Sequence, residues 1–192
     1  MGKLTEIRWH GRGGQGAKTA ALLFADAALG EGLYIQAFPE YGPERMGAPV
    51  QSFDRLSDEP ITIHCGMTDP KYVAVLDPTL MDSVDVAAGL PADGSLIVNT
   101  TLTPAAIRQQ LKLQGRKVFT VDASRISKAV IGRDIPNTPM LGAMVKISGF
   151  LKIEEVLKDL EIKLKKKFAS KPEIIAGNLK AVERAYQEVK GE

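Results

Sequence analysis

The sequence predicts an α/β fold, a three-layer α/β/α sandwich over a mostly parallel, mixed sheet, and three observations carry that expectation. A short apolar strand, Ile7-Arg8-Trp9-His10, runs through a glycine-rich turn straight into a helical pattern. Val-rich runs then alternate with helical segments, as strands covered on both faces do. From Pro139 onward the periodicity is wholly helical.

Strand-like runs fall at 5–10, 33–38, 50–56, 61–64, 72–76, 95–99 and 117–122, with helical patterns at 15–30, 79–87 and 104–113. The runs 50–56 and 61–64, joined by Ser57-Asp58-Glu59-Pro60, read as a hairpin, which makes the sheet mixed. Pro139 suits a first helical position, and helices are expected at 140–151, 153–168 and 171–190. In the last of these, Ile175, Leu179, Val182, Tyr186 and Val189 form one stripe that packs on the sheet or on a partner. A single domain over 1–192, with the helices of 140–190 packed on it, follows from the length of 192 residues.

Composition narrows the function classes. Hydrophobic content of 44% and charged content of 25% are those of an ordinary globular protein, and a net charge of +2 gives no nucleic-acid footprint. Lys163, Lys165, Lys166 and Lys167 read as a solvated helix end favoured by the helix dipole. No apolar run reaches the roughly 18 residues of a membrane span, and the first residues hold no signal-peptide core, so a cytoplasmic location is expected. With one cysteine, Cys65, the chain cannot build a disulfide, a multi-cysteine zinc site or an iron–sulfur cluster from its own residues.

The Rossmann-like start is the most informative segment. Gly11, Gly13 and Gly16 satisfy G-x-G-x-x-G between a strand and a helix, where glycine permits close ligand approach and the first helical N–H groups attract anions. A phosphate-hydrolysing loop needs Lys directly after its last glycine, whereas Ala17 intervenes here and turns Lys18 by roughly 100° around the helix. Glycines serving only a tight turn and close helix packing would leave Gly14 and Gln15 unexplained.

A second informative stretch, Glu40-Tyr41-Gly42-Pro43-Glu44-Arg45-Met46-Gly47-Ala48-Pro49, follows the second strand as a stiff, shaped loop. Ligands sit at the carboxyl ends of strands in open α/β sheets, so this loop and the glycine-rich turn are expected to line one crevice. In a dinucleotide reading Glu40 takes the ribose hydroxyls, while Arg45 either braces the loop through Glu40 or Glu44 or binds an anion. Met46 reads as packing. Asn137 or Thr138 is the expected N-cap of the helix after Pro139, whose N-terminus would add anion-binding donors to the crevice. Asp77-Pro78 and Asn99-Thr100 read as turn and cap chemistry on the ligand side. His10 and His64 read as buried, hydrogen-bonded histidines, and Cys65 has no catalytic partner in sequence. No Gly-x-Ser-x-Gly elbow or protein-kinase motif set is present, so a self-sufficient catalyst is not expected.

Taken together, Gly11-Arg12-Gly13-Gly14-Gln15-Gly16, the stretch from Glu40 to Val50, and Asn137-Thr138-Pro139-Met140-Leu141-Gly142 resemble the gamma subunit of pyruvate (2-oxoacid):ferredoxin oxidoreductase. The resemblance runs over nearly the whole chain, including the closing helix with Asn178 and Tyr186. It implies a module in an assembly of alpha, beta, gamma and delta chains that converts pyruvate and coenzyme A to acetyl-CoA and carbon dioxide and passes electrons to ferredoxin. It further implies thiamine diphosphate between the alpha and beta chains, iron–sulfur clusters on the cysteine-bearing chains, and no cofactor held by this chain alone.

On the same resemblance this subunit completes the complex and helps position coenzyme A. The candidate site residues are Gly11, Gly13, Gly14, Gln15, Gly16, Glu40, Arg45, Gly47, Asn137 and Thr138, with main-chain donors from Gly13, Gly14, Gln15 and Gly16 and charge from Arg45. The same loops could instead serve subunit docking, leaving the chain a scaffold. The alternative from another class is a stand-alone Rossmann-type NAD- or FAD-dependent oxidoreductase, which needs a substrate domain that 123–192 is too short and too helical to provide.

Overall fold

Seven strands form one sheet in the order β2-β3-β1-β4-β5-β6-β7. The computed structural model describes residues 4–40 and 46–192, with Glu40 by its backbone alone. The strands are β1 (Thr5–Arg12), β2 (Tyr34–Glu40), β3 (Pro49–Ser57), β4 (Tyr72–Val75), β5 (Ser95–Asn99), β6 (Lys117–Val121) and β7 (Lys190–Gly191). β1, β4, β5 and β6 run parallel, while β3 is antiparallel to both β1 and β2, and β7 is antiparallel to β6. The mixed α/β sheet read from the sequence is therefore present, with its parallel strands at the centre.

Both faces of the sheet are covered, unequally. Beneath one face lie α1 (Ala17–Gly30), α3 (Ala123–Ile131), α4 (Asn137–Ser148), α5 (Ile153–Phe168) and α6 (Pro172–Glu188), sharing a core with Ile7, Trp9, Leu76 and Ile97. The other face carries α2 (Pro104–Gln110) and the short 3-10 helix Pro78–Asp82 over Val73, Val75, Leu96, Val98 and Val118. The α6 stripe is spent inside the subunit, with Val182 buried where α6 packs on α4.

Four local readings change. The segment 61–64 is not a strand, because β1 and β2 already occupy both edges of β3; instead the Ile63 carbonyl accepts from Gln36 Nε2 (3.0 Å). His64 on that segment is exposed, contrary to the buried reading. The helix expected at 79–87 stops at Asp82, where the Arg8 guanidinium instead holds the Val86 and Ala88 carbonyls at 3.1 and 2.6 Å. The helix read from Pro139 begins at Asn137 with Pro136 as its N-cap, so neither Asn137 nor Thr138 caps it. An unread helix, α3, starts where Asp122 accepts from the Arg125 N–H (2.9 Å) and ends at Gly132.

Polar groups are buried in β1 and β3 as well. Trp9 Nε1 donates to Asp54 Oδ2 (2.7 Å) beneath α1, and burial pushes that carboxyl well above its ordinary range against the effect of the Trp9 bond. On the opposite face, His10 Nε2 accepts from Arg8 Nε (3.0 Å). Burial first, and the Arg8 charge second, lower the His10 pKa from 6.5 to about 3. Below pH 6.5 the unfolded chain therefore takes up a proton that the folded chain refuses, and stability is lost as pH falls toward 3, by about 1.4 kcal/mol per pH unit. In urea titrations, His10→Gln should shrink the stability difference between pH 7 and pH 5 by about 2 kcal/mol. An unchanged difference would show that His10 does not carry the acid sensitivity.

Candidate functional site: a glycine-rich turn at the sheet's switch point

Beyond β1 the chain leaves toward the α1 face, and beyond β4 it leaves toward the face covered by the 3-10 helix. Such a reversal opens a crevice at the carboxyl ends of adjacent parallel strands. The glycine-rich turn stands there, and Gly47 and Ala48, at the end of the second stretch read from the sequence, meet it. Gly13 N–H donates to the Ala48 carbonyl (2.9 Å), Gly47 N–H donates to the Gly13 carbonyl (3.1 Å), and Arg12 Nη1 donates to the Gly47 carbonyl (3.1 Å). The two stretches thus form one surface through Gly13, Gly47 and Ala48. Arg45 and the side chain of Glu40 lie outside the described residues.

Each glycine has its own task. A Cβ on Gly11 would stand 3.0 Å from the Ala17 Cβ, so Gly11 brings α1 close onto β1. At Gly14 (φ 96°) an added methyl would have nothing within 4 Å and would face open space. Gly16 (φ 83°) is the N-cap of α1, and a methyl there would lie 2.6 Å from Asn137 Nδ2. Gly16 and Asn137 thereby bring the N-termini of α1 and α4 together, and neither N-cap residue, Gly16 or Pro136, supplies a side-chain acceptor. Two positive dipole ends converge on one spot.

Not every expected donor is free. Gly13 N–H is spent on Ala48, and Gln15 N–H on the Arg12 carbonyl (3.0 Å). Gly14 and Gly16 N–H have no acceptor among the described residues. Asn137 Oδ1 accepts from Thr138 N–H (2.7 Å), and Thr138 Oγ1 donates to Asn178 Oδ1 (2.9 Å), so both brace the start of α4.

Three side chains outside the candidate set, Arg12, Asp77 and Thr79, brace the turn, and Asn99 lies behind them. Asp77 Oδ2 accepts from Gln15 Nε2 (2.6 Å) and pairs with Arg12 Nε (3.2 Å), while its Oδ1 accepts from Thr79 N–H (3.0 Å). Thr79 Oγ1 accepts from Arg12 Nη2 (2.8 Å). Partial burial raises the Asp77 carboxyl, but bonds from Thr79 and Gln15 and the Arg12 charge outweigh it, and the group sits below its ordinary range. Asn99 Nδ2 donates to the Leu76 carbonyl (2.8 Å) and Asn99 Oδ1 accepts from Ser124 N–H (3.1 Å), fastening the ends of β4 and β5 to α3. The strand ends carried part of the signal: Asp77 caps the 3-10 helix and Thr100 accepts from the Leu102 N–H (3.2 Å), as such turns do, while the Asn99 bonds span 23 and 25 residues.

Met46 is 95% exposed, so its packing reading fails. Among the described residues no three His, Cys, Asp or Glu side chains gather as a metal site, and no helix is long and apolar enough to cross a membrane.

A glycine-lined turn at the switch point of an α/β sheet covered on both faces places this chain among the doubly covered α/β domains with a Rossmann-like start. More specifically, the chain belongs to the pyruvate ferredoxin/flavodoxin oxidoreductase family, whose model matches residues 6–188. It is 46% identical over 188 residues to the pyruvate synthase subunit PorC of Thermotoga maritima, covering 98% of this chain and 96% of that one. It is also 46% identical over 184 residues to the pyruvate/ketoisovalerate oxidoreductases common subunit gamma of Thermococcus litoralis, covering 96% of each. The crystal structure of the Thermotoga maritima pyruvate oxidoreductase subunit PORC matches with a TM-score of 0.86 and 43% identity over 99% of each chain.

Proposed function

We propose that this chain is the gamma subunit of a cytoplasmic 2-oxoacid:ferredoxin oxidoreductase, completing an assembly with alpha, beta and delta chains and holding the anionic end of coenzyme A. The observation that carries the ligand reading is the meeting of the α1 and α4 N-termini at Gly16 and Asn137, beside the N–H groups of Gly14 and Gly16, which have no acceptor among the described residues. A pyrophosphate supplies the negative charge and acceptor oxygens that such donors lack. Arg45 is the expected further source of charge.

In the complex, pyruvate is decarboxylated and its acetyl group passes to the coenzyme A thiol while ferredoxin takes the electrons. This chain's share is binding and orientation. Gly14 and Gly16 donate to phosphate oxygens, the converging dipoles hold the charge, and the loop at Gly47 fixes the direction in which the rest of the ligand leaves toward a partner chain. Thiamine diphosphate and iron–sulfur clusters belong to the partner chains in this reading. One cysteine and no clustered metal-ligating side chains among the described residues do not fit a cluster here.

Pyruvate is the favoured oxoacid, and its selection is placed outside this chain. A relative whose name makes it common to pyruvate and ketoisovalerate oxidoreductases supports that placement. A stand-alone NAD- or FAD-dependent enzyme is not retained, because the helices after β6 pack on the α1 side of the same sheet instead of building a substrate domain.

Calorimetry of coenzyme A binding to the assembled complex tests the reading. Gly14→Asp sets a carboxylate into the open space facing the turn and should weaken binding at least about tenfold by like-charge repulsion. Unaltered affinity would remove the turn from the coenzyme A site.

A further inference from the structure

We propose that Asp77 is a positioning residue for coenzyme A, holding the glycine-rich turn in its receiving geometry through Gln15 and Arg12 without touching the ligand. The inference rests on the coenzyme A reading above. Gln15 is held at both ends of its amide: Oε1 accepts from the Arg12 backbone N–H (2.7 Å), and Nε2 donates to Asp77 Oδ2 (2.6 Å). The Gly16 N–H belongs to the peptide that follows Gln15, and the Gly14 N–H to the Gly13–Gly14 peptide, whose carbonyl accepts from the Gly47 N–H, so holding Gln15 and the Gly47 loop together fixes where those N–H groups point. Arg12 carries the same hold to the second loop, since its guanidinium reaches Asp77 and Thr79 on one side and the Gly47 carbonyl on the other.

The demand on Asp77 is specific. Its Oδ1 accepts from both the backbone N–H and the hydroxyl of Thr79, at 3.0 and 2.7 Å, and its Oδ2 serves Gln15 and Arg12. A neutral amide offers one acceptor oxygen where the site uses two. A residue that merely capped the 3-10 helix would need Oδ1 alone. The second oxygen, turned to the turn, marks the positioning role.

The test compares Gln15→Glu, Asp77→Asn and the double variant in the assembled complex, with coenzyme A and oxoacid varied separately. Gln15→Glu keeps the acceptor for Arg12 N–H but replaces the donor facing Asp77; Asp77→Asn removes the acceptor facing Gln15. Each single change should raise the KM for coenzyme A about tenfold, the loss of one charge-assisted hydrogen bond, with kcat and the oxoacid KM little changed. The double variant exchanges donor and acceptor, the amide introduced at position 77 now facing the carboxylate introduced at position 15, and should recover most of the loss. Single variants with a wild-type coenzyme A KM overturn the proposal, as does a double variant no better than the singles. Should a single variant fail to assemble, the double decides alone: a KM near wild type supports the brace, and failure to assemble or weak binding overturns it. Gly14→Asp separates the two levels. If it weakens coenzyme A binding while the brace variants do not, the brace is wrong and the ligand reading stands; if it leaves binding untouched, the ligand reading itself fails.

Discussion

Gly142→Ala should destabilise the subunit by about 3 kcal/mol or more, the upper end of what overpacking costs. Gly142 lies in α4 against α6, and an added methyl would stand 2.8 Å from the Val182 carbonyl carbon and closer still to its oxygen. These obstructing atoms are backbone, so no side chain can swing aside. Either helix α6 moves outward or α4 does, and both carry the core that covers the sheet. Ala143, Ala181 and Ala185, all buried, show that small residues continue along this contact. A urea unfolding midpoint for Gly142→Ala equal to that of the parent chain would mean the helices do not approach so closely.

Gly16→Ala should damage stability and ligand binding together. Its left-handed backbone (φ 83°, ψ 28°) costs a Cβ-bearing residue roughly 1–2 kcal/mol. The methyl would also meet Asn137 Nδ2 at 2.6 Å, pushing apart the two helix N-termini that meet at the candidate site. Coenzyme A affinity of the assembled enzyme is expected to fall at least about tenfold, since misplacing binding groups by an ångström costs on that scale. Combining Gly16→Ala with Asn137→Ala should recover the stability lost to the clash and leave the backbone strain. No recovery would place the whole effect in the strain. Binding unchanged in Gly16→Ala would separate this turn from coenzyme A.

Legibility in the sequence followed sequence distance. The strand, turn and helix from Thr5 to Gly30 were readable because each is set by neighbours: apolar alternation, glycine at the reversal, then helical periodicity. Asp77 was readable as a cap because Asp-Pro acts within two residues, on the Thr79 N–H, whereas Asn99 bonds Leu76 and Ser124, 23 and 25 residues away, beyond any local signal. The segment 61–64 misled because its apolar character reports a wish for burial and not the availability of a sheet edge. His10 and His64 look alike in sequence, each flanked by strand-like residues, yet one is buried under Arg8 and the other is exposed.

By itself the sequence determined that a glycine-rich elbow would join a buried strand to a helix, that Val-rich strands would build a mixed α/β sheet, and that the chain would close on helices. Tertiary structure alone decided that β3 inserts between β1 and β2, that β4 lies on the other side of β1, and hence that Asp77 reaches Gln15 across 62 residues. Hydrogen-bonding propensity and side-chain periodicity act over a few residues, whereas strand order is settled by which buried faces best exclude water together. That choice placed a carboxylate beside the turn and set two helix N-termini face to face.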